Sequence, residues 1–483
     1  MIDFIKDHFW TILIVLNYII AISAVITIVL KNINPTKTLS YIIVLVFFPF
    51  LGVLVYYLFG QEYRKNKIFN RKEVLNQSII KSINDELELN QEEIQEVDKS
   101  LEGKVKLVKL LYSNKISPLT LCNKVDVLIN GDDKFKCLIK DLNAAKHHIH
   151  LEYYAIHEGE IWDKILRILC EKANDGVEVR LSYDDVGSKL SSKTKKKFSE
   201  FGIEHYPFMP VVFSRFTGKM NYRNHRKIAV IDGEIAYVGG INIADDYVNE
   251  YNETFWRDTH TRIVGESVKS LQINFFTTWH FVSGEKLNID HSYFPEVDCK
   301  DNVAVQIAAS GPDTDWAYIM EAIFTAITTA EDYVYITTPY FVPNDQMIMA
   351  FQVAAKSGVD IKLIIPKKSD SWVVKHATNS YLQHLLEAGI EVYRYTKGFV
   401  HAKTMVVDDI FSTIGTSNMD YRSFNINFEV NSFIYDEGKA KILKQQFIED
   451  LKVCELIEPK SWQNRPKIQK LKESYCRLWA PLI

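Results

Sequence analysis

Two long uncharged runs open the chain, and behind them short apolar strands alternate with amphipathic helices. Trp10–Leu30 is a run of 21 residues and Tyr41–Phe59 a run of 19, neither carrying a charge. As a helix, each reaches across a hydrocarbon core of roughly 30 Å. The segment between them, KNINPTKTLS, holds Pro35 and suits a turn. A transmembrane helical hairpin is therefore predicted over residues 1–60. Asp3 and Asp7 spoil the basic start that a cleaved signal peptide requires. Pro49 and Gly52 are tolerated in a membrane helix, and they leave a re-entrant second segment open. Residues 61–120 are polar and charge-rich and read as a solvated helical connector.

From Val125 the period changes. HHIHLEYYAI reads as a buried strand, IWDKILRILCEKANDG as a helix ending at Gly176, and VEVRLSY as the next strand. The order then recurs: EDYVYITTPYFV as strand, NDQMIMAFQVAAKSG as helix, VDIKLIIP as strand. DGVEVRL at 175–181 is nearly copied by SGVDIKL at 357–363, and FGIEHY at 201–206 by AGIEVY at 388–393. A duplicated α/β unit accounts for this, with halves at 121–297 and 298–483. The fold expected is an α/β class of two sandwich-like halves sharing one site behind the hairpin.

Length and charge narrow the picture. A chain of 483 residues exceeds one core. The net charge of −4 and pI near 6.4 argue against a nucleic-acid binder. The six cysteines lack zinc or redox spacing and read as scattered reduced thiols. Arg64, Lys65, Lys67, Arg71 and Lys72 follow the second run, against Lys31 and Lys37 in the loop, which puts the body on the cytoplasmic side.

The candidate chemistry is written twice. Residues 225–232 read HRKIAVID and 401–408 read HAKTMVVD: His, any residue, Lys, four residues, Asp. Asn242 in GGIN and Asn418 in GTSN follow, then Glu253 and Glu429, all at one offset of 176 positions. IAVID and TMVVD read as interior strands, so each His and Lys leave the same face. One neutral imidazole can attack while a second, protonated, serves the leaving group. Lysines and amides suit the non-bridging oxygens of a phosphodiester, where charge builds in the transition state. A carboxylate on the other ring nitrogen fixes the tautomer. The candidate catalytic set is His225, Lys227, Asp232, His401, Lys403 and Asp408, with Asp232 and Asp408 expected to hold their turns. No metal or cofactor is called for.

The chain resembles the phospholipase D superfamily, marked by the duplicated H-x-K-x(4)-D motif, and within it bacterial cardiolipin synthases. The segments that carry this are PFLGVLVYYLFG at 49–60, NYRNHRKIAVIDG at 221–233, GGINIADDY at 239–247, WRDTH at 256–260, TPYFVP at 338–343, GFVHAKTMVVDD at 398–409 and GTSNMDYRSFNINFE at 415–429. The resemblance implies a metal-independent transfer through a phosphatidyl-histidine, with phosphatidylglycerol as donor and acceptor and cardiolipin and glycerol as products. By analogy His225 is the nucleophile and His401 the acid/base, the reverse remaining open. Lys227, Lys403, Asn242 and Asn418 would clamp phosphate, Ser417 would add a hydroxyl, and Glu253 and Glu429 would orient the histidines. Arg223, Arg226, Arg257 and Arg422 stand either to meet a second phosphate or to pair structurally. Tyr340 and Phe341 read as pocket or core. The basic stretch from Arg465 to Arg477 ahead of LWAPLI fits docking on an anionic bilayer or terminal packing. A hydrolase of the same fold, a superfamily nuclease and a non-catalytic membrane scaffold are the alternatives, the hairpin and acidic balance counting against the nuclease.

Overall fold

The computed structural model describes residues 8–30, 35–53, 74, 77–87, 105–112, 117–210, 222–285, 287–298, 301–314 and 316–479. The chain divides into two compact units, one of Met1–Asn66 with Pro210–Asn221 and one of the remainder.

In the smaller unit, Phe9–Leu30 forms one helix long and apolar enough to cross a membrane. A second helix, Pro35–Phe47, packs on it through Leu45 against Ala21 and Ile28. The second apolar run is not one continuous helix. It breaks at Phe48, before Pro49, whose ring cannot continue the ladder. Gly52 then lies so close to Leu45 that an added Cβ would stand 2.7 Å from its Cα. Residues 54–59 of that run lie outside the described residues, as do the basic residues that follow it.

The larger unit contains the duplication. Leu119–Thr120 (β1) is followed in the first half by β2 (Asn123–Ile129), β3 (His148–Tyr153), β4 (Glu178–Asp184), β5 (Glu204–Phe208), β6 (Lys227–Ile231), β7 (Ile235–Gly239), β8 (Phe255–Arg257) and β9 (Thr259–Gly265). The second half supplies β10 (Ala304–Ser310), β11 (Tyr333–Thr337), β12 (Phe341–Val342), β13 (Asp360–Pro366), β14 (Glu391–Tyr395), β15 (Gly398–Val400), β16 (Thr404–Val407), β17 (Phe411–Gly415), β18 (Met419–Asp420), β19 (Glu429–Tyr435) and β20 (Cys454–Leu456). One sheet runs β2-β9-β7-β6-β3-β4-β5, and the other β1-β10-β19-β17-β16-β11-β13-β14-β20. Apart from the added edges β1 and β20 the orders coincide. In both, three parallel strands continue into an antiparallel meander.

Strand alternation builds the layers. On β6, Ile228 and Val230 enter a core shared with Val406, Val430 and Ile434 of the other half. Ala229 and Ile231 point the opposite way, under the helices Asn130–Ala144 and Glu160–Asn174. The second sheet repeats the scheme, with Met405 and Val407 under Tyr318–Thr328, Asp345–Lys356 and Trp372–Glu387. The period of two thus seals the sheets to one another and to their helices at once.

Two expectations need correction. The described parts of 61–120 are not merely solvated: Ile80 and Ile83 pack with Phe276 and Trp279, and Leu107, Val108 and Leu111 join the second half's core. Each helix has an apolar stripe, and a neighbour offers a surface to bury it. Cys122 is disulfide-bonded rather than a reduced thiol. Cys137, Cys170, Cys454 and Cys476 are free, and Cys299 lies outside the described residues.

Candidate active site

Both signature histidines lie just ahead of the strands they were assigned to, on extended segments that cross to the other half. The amide of His225 donates to the Phe428 carbonyl at 2.9 Å, and Asn224 and Phe428 form a parallel bridge. The amide of His401 donates to the Arg257 carbonyl at 2.7 Å, where β15 pairs with β8 in parallel. Each half therefore sews its histidine onto the other half's backbone.

The carboxylates are exchanged in the same way. Nδ1 of His225 lies 3.0 Å from both oxygens of Glu429. Nδ1 of His401 lies 2.8 Å from Oδ2 of Asp258. Glu429 and Asp258 are fully buried. Glu253, expected to orient a histidine, stands exposed, so that assignment is replaced by Asp258. The ladders explain the slip. Gly415 pairs with Asn431 across β17 and β19, and Gly239 with His260 across β7 and β9. Counting back two residues equates Glu429 with Asp258, not Glu253. The signal in the sequence was the WRDTH segment, a carboxylate directly before a strand.

Burial dominates the ionisation of the centre. It pushes both imidazoles down to about 4, with Lys227 and Lys403 adding to the effect. It pushes Lys227 down to about 7 and Lys403 to about 8, with Glu429 and Asp258 as the chief opposing charges. Burial alone would raise the Glu429 carboxyl, but His225 and Lys227 hold it below the usual range. At neutral pH both rings are thus uncharged. An entering phosphate anion favours the charged form of every cation around it.

His225, His401, Asn242 and Asn418 line one cleft of about 570 Å³. Lys227 and Lys403 sit behind the rings. Lys227 Nζ donates to the His225 carbonyl at 2.5 Å, and Lys403 Nζ to the His401 carbonyl at 2.6 Å. The Asn242 amide accepts from the Ala155 N–H and donates to the Tyr247 hydroxyl. Among the described residues Asn418 Oδ1 is buried without a partner. Ser417 borders a separate space of about 10 Å³ beside Lys403, away from the cleft. Tyr340 lines the cleft and its hydroxyl donates to Asp370, whereas Phe341 is core.

Asp232 and Asp408 do not face the cleft. Asp232 accepts the backbone N–H groups of Lys146, His147 and His148 at 2.8–3.0 Å. Asp408 does the same for Glu331, Asp332 and Tyr333 at 2.8–2.9 Å. Both have positive φ, 55° and 52°, which an Asp tolerates in a turn better than most residues. Each clamps the signature hairpin to the start of the adjacent antiparallel strand, β3 or β11. Among the described residues no group of three or more His, Cys, Asp or Glu is set to hold a metal ion.

Residues 138–279 and 323–451 match the family model "cardiolipin synthase, PLD-like domain", and residues 19–61 match the phospholipase D-nuclease N-terminal model. The cardiolipin synthase of Halalkalibacterium halodurans is 40% identical over 462 residues, covering 95% of this chain and 91% of the relative. Cardiolipin synthase 2 of Staphylococcus epidermidis is 38% identical, covering 92% of each. The crystal structure of phosphatidylserine synthase from Haemophilus influenzae superposes with a TM-score of 0.60 at 15% identity, covering 78% of this chain and 100% of that one, a likeness of fold.

Proposed function

The chain belongs to the cardiolipin synthase family of phospholipase D-like phosphatidyltransferases, and from that premise we propose that it joins two phosphatidylglycerol molecules through a histidine intermediate. The observation that carries this is the pair of carboxylate-locked histidines, one from each half, lining a single cleft.

Nε2 of His225 attacks the donor phosphorus, and the bond from phosphorus to the glycerol oxygen breaks. His401, protonated once the phosphate has entered, gives its proton to that oxygen, and glycerol leaves. His401 then takes the proton of the acceptor's free hydroxyl as its oxygen attacks the phosphorus. The P–N bond breaks, cardiolipin leaves, and His401 holds the proton for the next cycle. Glu429 and Asp258 accept the Nδ1–H groups and so keep each Nε2 on the cleft side. Lys227 and Lys403 answer the charge on the phosphate oxygens. His225 is favoured as nucleophile because its Nε2 has no protein partner among the described residues, whereas Lys403 Nζ lies 3.0 Å from Nε2 of His401.

At the membrane, the proposal keeps a two-span hairpin with a cytoplasmic body, supported by the basic residues that follow the second run. The helix Lys467–Arg477 supports contact with an anionic bilayer: Ile468, Leu471, Tyr475 and Leu478 form an exposed stripe between Lys467 and Lys472, while Cys476 and Glu473 are buried.

The decisive test is product analysis on phosphatidylglycerol vesicles with wild type, His225→Ala and His401→Ala. Cardiolipin plus glycerol is expected from wild type, with turnover lost in both variants. Phosphatidic acid in place of cardiolipin would establish the hydrolase, and near-normal cardiolipin from either variant would end the two-histidine mechanism.

A further inference from the structure

The four arginines near the signature motifs separate by whether they line the cleft. Arg226 lies 3.7 Å from Glu152 and donates to Thr278, and Arg257 is bound to Asp450 at 2.9 Å and to the Asp258 carbonyl. Neither lines the cleft. Arg226 is paired within the first half, and Arg257 ties the first half to the second.

Arg223 and Arg422 do line it. Arg223 is only 6% exposed. Its Nε donates to the Tyr222 carbonyl at 2.7 Å and its Nη1 to Asp184 at 3.3 Å, while among the described residues Nη2 is buried without a partner. Asp184 itself is pinned by the amides of Asn224, Val186 and Gly187, so the guanidinium fork is held in one orientation. Arg422 is partly buried and reaches Asn427 at 3.3 Å. Burial, reinforced by the charge of Arg223, lowers Arg422 below the usual guanidinium range, while Asp420 opposes it. Two neighbouring guanidiniums in a partly desolvated wall repel one another, and an anion between them removes that cost. The wall adjoins the reaction centre: the Tyr154 ring, whose ionisation feels both arginines, lies 5.0 Å from the His225 ring.

The reacting phosphate already has Lys227 and Lys403. Cardiolipin contains two phosphodiesters joined by one glycerol, so the attacking lipid must bring a second anion within that span of the first. We propose that Arg223 and Arg422 form the subsite for the non-reacting phosphodiester of the acceptor phospholipid. This inference rests on the phosphatidyl-transfer reading above.

An alcohol without phosphate separates the two. Phosphatidylglycerol vesicles with ethanol should yield cardiolipin by transfer to lipid and phosphatidylethanol by transfer to solvent alcohol, both from the same histidine intermediate. In Arg223→Gln and Arg422→Gln the ratio of cardiolipin to phosphatidylethanol is expected to fall at least about tenfold, as loss of a charge-assisted contact predicts. Arg→Lys variants, which keep the charge but lose the fork, should fall between. The ratio is read within each preparation, so a smaller folded fraction does not change it. An unchanged ratio in the Gln variants would overturn the subsite while leaving the transfer mechanism standing. Neither product from wild type would overturn the transfer reading itself.

Discussion

His225 and His401 are copies in sequence but not in setting. Among the described residues His225 faces both oxygens of Glu429 and the Tyr154 ring, and Lys227, over that same ring, donates to the His225 carbonyl. His401 faces one oxygen of Asp258, is surrounded by Tyr247, Trp256 and Phe399, and has the Lys403 ammonium 3.0 Å from both ring nitrogens. The flanking amides differ too: Asn242 has partners at both its oxygen and its nitrogen, whereas among the described residues Asn418 Oδ1 is buried without one. A duplicated unit preserved the tautomer lock, which both chemical roles need. It let the free side of each ring diverge, where attack and proton transfer make different demands.

The largest effect expected on this comparison is at the rings themselves. Replacing either histidine by Ala should lower turnover by about 10⁴-fold or more. Denaturing quench with labelled donor should place the covalent phosphatidyl group on the peptide containing His225. Label on the His401 peptide would reverse the roles. Next come the exchanged carboxylates. Glu429→Gln and Asp258→Asn should each cost about 10²–10⁴-fold in kcat, as loss of a tautomer-fixing carboxylate does elsewhere. Glu253→Gln should stay near wild type. A large loss in Glu253→Gln with a silent Asp258→Asn would break the cross-pairing.

The pH profile sharpens the contrast between the lysines. With both rings held at about 4, kcat/KM should rise as pH climbs through that value and frees the His225 nitrogen, and should begin to fall above it as His401 loses the proton it must give. It should fall more steeply as the lysines lose their protons, at about 7 for Lys227 and about 8 for Lys403. An alkaline midpoint near 7 makes the charge of Lys227 essential, and one near 8 makes that of Lys403 sufficient. The turn clamps should be equal between halves. Asp232→Ala and Asp408→Ala each remove three bonds to backbone at the start of a strand, two of them at exposed residues, and should cost about 1–3 kcal/mol, read as matching drops in melting temperature. The smallest effect belongs to the bilayer contact: Leu471→Ser should reduce activity on anionic vesicles by about two- to threefold while leaving it unchanged in detergent micelles.

Much of this architecture was legible along the chain. The buried strand read from HHIHLEYYAI is β3, the helix ending before Gly176 is Glu160–Asn174, and IAVID and TMVVD map onto β6 and β16. These segments alternate strictly or run apolar between turn residues, so their period declares them. The burial of the apolar helices in the described connector is not legible locally, because it depends on surfaces supplied from residues far along the chain. The break after Phe47 turned on local competition between a proline and an otherwise uniform apolar run.

The sequence by itself determined the duplication, the two H-x-K-x(4)-D motifs and the turn-holding role of their aspartates, since those depend on local spacing and on which backbone N–H groups a carboxylate can reach. Only the tertiary structure decided which carboxylate serves which histidine. Identical spacing favoured Glu253. A β-ladder counts paired residues rather than chain positions, and a loop of different length between β7 and β9 from that between β17 and β19 moved the register to Asp258. That each carboxylate then crosses to the other half's ring follows from packing two sheets on one shared core, a contact no single repeat contains.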